Sequence, residues 1–257
     1  MSLLLLSLFL ACGPKVAPEA APAEATLPTG VELVDASIEA IGGATALAAI
    51  ENAILTYAVL IPAQGIEGKI VVRYLAPNQM EIHQSFPSLS DGTHGTDGTL
   101  GWTTDNMMGP RLMEGVELQT TLRDASLTWM SEFETFYPEP GVVTRKGDDD
   151  HPLWMLEVTS AWGTPDSFVF DANTGLLFNM ATRAETPMGP IPVTMVFRDY
   201  QEMSGLLLAV EQSIFMASIE MKKTLLSFEI NLDDFAPITM PEDVKALLES
   251  MEGAKED

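Results

Sequence analysis

The chain has 257 residues, with 37 Asp and Glu against 13 Lys and Arg, a formal net charge of −24. Nucleic-acid affinity rests on Lys and Arg displacing counterions from phosphates, so that partner is excluded, as is a basic helix lying on a membrane surface. The 46% of apolar residues is ample material for a core, and 19 Gly with 17 Pro promise many turns.

Ser2 to Ala11 is apolar and uncharged. It is too short to span a bilayer, which takes about 20 residues, but has the length of a signal-peptide apolar region. It ends on Leu10-Ala11-Cys12-Gly13, and Cys12 is the only cysteine, which excludes an intramolecular disulfide and any multi-cysteine metal site. The segment resembles a bacterial lipobox. That resemblance implies a signal peptide over residues 1–11 and a lipid attached to Cys12, which becomes the N-terminus of the mature chain. Gly13 to Gly30 is rich in Pro, Ala and Glu and has no aromatic residue. Such a segment has nothing to bury, so residues 12–30 read as a lipidated, extended tether ahead of one folded domain over 31–257.

Val31 to Ile50 reads as helix, with Val34, Ile38 and Ile41 on one face and Gly42-Gly43 as an interruption. From Ala53 the period becomes two. Ile66, Gly68, Ile70, Val72 and Tyr74 share one face, and Met80, Ile82 and Phe86 alternate with Gln79, Glu81, His83 and Ser85. Glu117 to Phe136 returns to helical spacing, with Leu118, Leu122, Ala125, Trp129, Phe133 and Phe136 as an apolar stripe ended by Pro138 and Pro140. Strands then run almost to Pro237, the last of them expected over Leu206–Met221 and Thr224–Leu232. Pro241 opens a final helix with Val244, Leu247, Leu248 and Met251 on one side, and Gly253 is expected to close it. The count is about eleven strands by alternation. A sheet of that size must curl or pack on itself, and the amphipathic helices can cover its inner face. Leu206–Val210 and Ile214–Ala217 are apolar on both faces, so both sides are expected to be covered there.

Several short landmarks resemble lipoproteins of the LolA/LolB-like group. They are Ala40-Ile41-Gly42-Gly43 with Ala46-Leu47 and Ile50, Tyr74-Leu75-Ala76-Pro77-Asn78, Asp97-Gly98 with Gly101-Trp102, Phe170-Asp171 with Thr174-Gly175-Leu176-Leu177, and Asp199-Tyr200 with Gly205. The resemblance implies a mainly β, α+β fold: an open, curved antiparallel half-barrel of about eleven strands, with helical lids over an apolar cavity. It further implies a periplasm-facing protein of the bacterial cell envelope, on the outer rather than the inner membrane. Its ligand would be an acyl chain or the lipid moiety of a lipoprotein.

No catalytic signature stands against that reading. There is no G-x-S-x-G and no phosphate-binding G-x-x-x-x-G-K-[ST], so no enzyme is expected. The three histidines lack ligand spacing: His83 falls on the polar face of a strand, His94 and His151 in turns. Asp91 to Gly98 lacks the calcium-loop pattern and reads as a polar hairpin, so neither metal nor cofactor is implied. The 15 methionines, Met130, Met195, Met216 and Met221 among them, suit either core filling or a surface that accepts varied apolar partners. The sequence therefore predicts a monomeric, lipid-anchored binding protein. Leu118, Leu122, Trp129, Phe133 and Phe136 are its candidate cavity or lid residues, and Cys12 is its attachment site. The alternative is a structural or interaction lipoprotein whose core is filled by its own side chains.

Overall fold

The computed structural model describes residues 27–87, 90–185 and 189–256. Cys12 and most of the expected tether lie outside the described residues. Among those described, thirteen strands form one antiparallel sheet. The first meander is β1 (Asn52–Ile61), β2 (Ile66–Leu75), β3 (Gln79–Phe86), β4 (Ser90–Thr96), β5 (Gly101–Asp105) and β6 (Arg111–Leu112). The second is β7 (Val142–Gly147), β8 (Pro152–Thr159), β9 (Pro165–Asp171), β10 (Leu177–Ala184), β11 (Ile191–Met203), β12 (Leu206–Met216) and β13 (Ile219–Ile230). The meanders join where β1 pairs with β13, and β6 and β7 are the free edges, so the sheet is open. The fold expected from sequence is borne out, with two more strands than alternation revealed.

The helices explain why the sheet curls. They are α1 (Gly30–Ala40), α2 (Ala44–Ala48), α3 (Gly115–Asp124), α4 (Phe133–Phe136) and α5 (Glu242–Glu256). Leu118 of α3 approaches Gly101 on β5, while Arg123 of the same helix reaches Asp166 on β9. Those two residues are about 7.5 Å apart along a helix axis. In a flat sheet β5 and β9 would stand roughly 43 Å apart. One helix touches both only because the sheet wraps around it.

α1 starts at a capping box in which Thr29 accepts from the Glu32 backbone N–H and the Glu32 carboxylate accepts from that of Thr29. It ends at Gly42-Gly43, both at positive φ. A Cβ on Gly42 would also meet Leu206 Cδ2 at 2.7 Å, so close packing as well as conformation demands glycine there. Inward-facing residues in register carry the core: Tyr57 opposite Ile70, Leu55 opposite Val72, and Met180 opposite Phe168. Leu33, Val34 and Ile38 of α1 join the same apolar cluster.

Four local expectations are corrected. The helix expected over Glu117–Phe136 is split: after α3 come a turn, a 3₁₀ segment (Trp129–Glu132) and α4. The Ser126 hydroxyl pairs with that of Thr128 and accepts from the Thr128 backbone N–H, which competes with helix continuation. Asp91 to Thr96 lies in strand β4, with His94 opposite Ile82, rather than in a turn. The last hairpin turns at Ala217-Ser218, with Ala217 at positive φ, and not at Lys222-Lys223. α5 runs through Gly253 and packs on the convex face, where Val244 and Ile238 bury Trp102 of β5. The helical cover on that face therefore lies over β5, while Phe215 on the convex side of β12 stays exposed.

Candidate functional site: the concave cavity and its lid

Two segments roof the concave face. α1 runs from Leu156 on β8, against Gly30, to Leu207 on β12, whose N–H donates to the Ile41 carbonyl, and the stretch from α3 to Tyr137 lies over both arms. Over β8 and β9 the roof is filled with aromatic rings. Trp129 and Phe133 sit 5.9 and 5.8 Å from Phe168, and Tyr137 sits 5.7 Å from it, edge on. Offset and edge contacts of this kind add to the apolar area that they bury.

The same segment is pinned by buried charge. Arg123 is 2% exposed, and its Nη1 donates to Tyr137 Oη at 2.6 Å and to Asp166 Oδ2 at 3.3 Å. Its Nε donates to Asp124 at 2.8 Å. Tyr137 and Thr182 both donate to Asp166. The guanidinium also lies 5.2 Å from the Trp129 ring and 5.8 Å from that of Trp162. Burial works against the charge on Arg123, but Asp124, Tyr137 and Asp166 outweigh it and hold the group above its ordinary range. The network ties α3, the segment after α4, β9 and β10 together.

An unfilled space remains in the middle of the concave face. Its volume is about 180 Å³, and α1 supplies Ser37 and, at its end, Ile41. Leu55, Tyr57, Phe197 and Leu225 form its floor, and Met130 closes it from the lid. Burial pushes the Tyr57 hydroxyl up to about 12, against a hydrogen bond from Gln212 that also borders the space. A larger hollow of about 670 Å³ lies on the convex side, among Glu157, Ser167, Ala181 and Arg183. It is mixed in character and open, so the apolar concave space is the better candidate for a lipid. His94 also faces inward, and burial pushes its imidazole below its usual value, with Glu117 acting the other way. No three metal-ligating side chains cluster among the described residues.

The stripe predicted from sequence does not converge on this space. Leu118 packs on Gly101. Leu122 and Phe136 border a separate hollow of about 390 Å³ at the rim, with Trp162. Trp129 and Phe133 belong to the aromatic filling. Met130, which the helical reading left off the stripe, is the lid residue that reaches the cavity. Sequence reasoning also missed Arg123, Asp166 and Lys223. The signal for Lys223 was present in Ile219-x-Met221-x-Lys223-x-Leu225, an inward alternation with one cation, but it was hidden by placing a turn at Lys222-Lys223.

No protein-family model matches the chain, and no curated protein does. Solved structures do. A LolA superfamily protein from Nitrosomonas europaea superimposes with a TM-score of 0.55 at 10% identity, over 85% of this chain and 97% of that one. A domain described as an outer membrane lipoprotein-sorting protein, from Vibrio parahaemolyticus, gives 0.52 at 9% identity, over 86% and 98%. The chain has a LolA/LolB-like fold. A DUF1329 family protein from Desulfovibrio piger shares the architecture with a TM-score of 0.50 at 8% identity, over 78% and 92%. At these identities the LolA-like likeness is one of backbone, so the chemistry of the site rests on this chain's own side chains.

Proposed function

We propose that this LolA-like domain is a lipid-anchored, periplasm-facing binding protein of the bacterial envelope that takes an acyl chain, or the lipid moiety of a lipoprotein, into its concave face. The observation that carries this reading is the apolar space under α1 and Met130, in the middle of the concave face. Its volume of about 180 Å³ is below the roughly 300–1,000 Å³ of ordinary ligand pockets. A full acyl chain therefore enters only if Met130 and its segment move outward. Each buried CH₂ then contributes about 0.8 kcal/mol. Cys12 supplies the anchor in this reading, and the reaction chemistry of an enzyme has no part in it.

The aromatic filling around Phe168 favours a second reading, a self-filled interaction lipoprotein. Native mass spectrometry of the chain from Gly13 onward, purified without detergent, separates the two. Co-purifying lipid is expected. A clean apo mass, together with no uptake of added fatty acid, overturns the binding reading in favour of the self-filled one.

A further inference from the structure

Lys223 stands in the middle of β13 and faces the wrong way for a lysine. It pairs with Val59 on β1 and with Gln212 on β12, and Gln212 pairs with Phe197 on β11. Gly68 lies beyond Val59, with the Phe86 ring against it. The lysine is flanked along its own strand by the inward Met221 and Leu225. Its Nζ lies 4.0 Å from the centroid of the Tyr57 ring, and Tyr57 is buried. The neighbouring Lys222 faces outward and bridges Glu220 at 3.7 Å. Lys223 has no carboxylate partner among the described residues. Burial lowers its ammonium to about 8.

Lys223 is half-buried, and an ammonium withdrawn from water without a counter-charge is costly. Cation–π contact with Tyr57 offsets part of that cost. The position is nevertheless the one at which a counter-charge would serve binding. Tyr57 and Gln212, which flank Lys223, both border the apolar cavity, whose other walls include the apolar Leu55, Phe197 and Leu225 and the polar Ser37 and Tyr200. A cation and two polar groups thus mark one end of an apolar hollow, the arrangement that fixes the orientation of an amphiphile.

We propose that Lys223 is the head-group site of this cavity and that the ligand is a single-chain amphiphile with an anionic head, its chain lying toward Leu55, Phe197 and Leu225. The inference rests on the acyl-binding reading above and adds the head-group class to it. An anionic oxygen gives Lys223 the charge-assisted hydrogen bond that the protein itself does not, while Tyr57 and Gln212 offer neutral partners beside it. The head can be a carboxylate or a phosphate, since a lysine reads charge rather than the planar geometry that a guanidinium selects.

The test measures binding of hexadecanoate, hexadecyl phosphate and methyl hexadecanoate to the chain from Gly13 onward, which contains every described residue. The wild-type protein is expected to bind at least one of the anionic probes about tenfold or more tighter than the neutral ester. Whichever anion binds tighter names the source of the head group. Lys223→Met, which keeps an unbranched apolar stem, is expected to erase that preference while ester binding persists. Lys223→Arg is expected to retain it, and persistent ester binding certifies that the methionine variant is folded. Equal binding of all three probes by the wild type, or a preference that survives in Lys223→Met, overturns the head-group assignment and leaves acyl binding standing. Failure of the wild type to bind any probe overturns the acyl-binding reading, and this inference with it.

Discussion

Asp166→Ala tests whether the roof is held by buried charge. The substitution removes the acceptor shared by Arg123, Tyr137 and Thr182, at a site where the Asp166 side chain is 1% exposed. Breaking a buried ion pair from one side typically costs about 3–5 kcal/mol, because the surviving charge is left in a poor environment. Arg123 keeps Asp124 and the faces of two tryptophans, so the low end applies, about 3 kcal/mol. For a domain of this size that corresponds to a fall of about 6–12 °C in Tm, at roughly 2–4 °C per kcal/mol. Urea unfolding followed by tryptophan fluorescence is the assay, since Trp129 and Trp162 lie against the network. Replacing both partners, Arg123→Met with Asp166→Leu, is expected to recover part of the loss, since the one charge left without its partner is then Asp124, whose side chain is 45% exposed. A change below about 1 kcal/mol for Asp166→Ala alone, the range of exposed pairs, would refute the idea that this network pins the roof.

Lys223→Met is expected to stabilise the ligand-free protein at pH 7. A fall from 10.5 to about 8 corresponds to at most about 3 kcal/mol withheld from the folded state. A depressed lysine leaves the unfolded chain binding more protons between about pH 8 and 10.5, so wild-type stability rises with pH across that window and the variant's advantage shrinks. Tyr57, the titratable group facing the ammonium, ionises only near 12, and chemical denaturation at pH 7 and 9 reads the difference. Gly42→Ala should lower Tm by several degrees, because the alanine must adopt φ 128° and meet Leu206; an unchanged melt would show that the α1–α2 corner relaxes freely. Cys12→Ser should abolish metabolic labelling by an alkyne fatty acid, and retained label would remove Cys12 as the anchor.

The strands of the first meander were legible because each is half-buried. Ile66 to Tyr74 alternates cleanly, and β2 occupies the residues that the pattern marked. The edge of that meander was not legible, since β4 is Ser90–Thr96, rich in small polar residues that mimic a turn. The split lid was hidden for another reason: apolar residues at steps of three and four continue through the Ser126–Thr128 turn, although local side-chain bonds end the helix there. The cavity could not be read in advance, because its walls come from α1, β1, β10, β11, β12, β13 and the lid. Lys223 became visible only once pairing with Val59 and Gln212 fixed its face.

Pairing between successive strands builds both meanders, and such hairpins form from neighbours in the chain. The β1–β13 contact is of another kind: it joins Ala53 to Ile230 and is extended by Asn52, which bonds Leu232 in both directions. Closing a loop of that length is the entropically unfavourable step that slows folding of non-local β topologies. The seam brings the concave face together, since the cavity floor takes Leu55 and Tyr57 from one meander and Leu225 and Phe197 from the other. The binding surface is thus a product of this long-range pairing, and a chain with an unsealed seam has two sheets and no pocket.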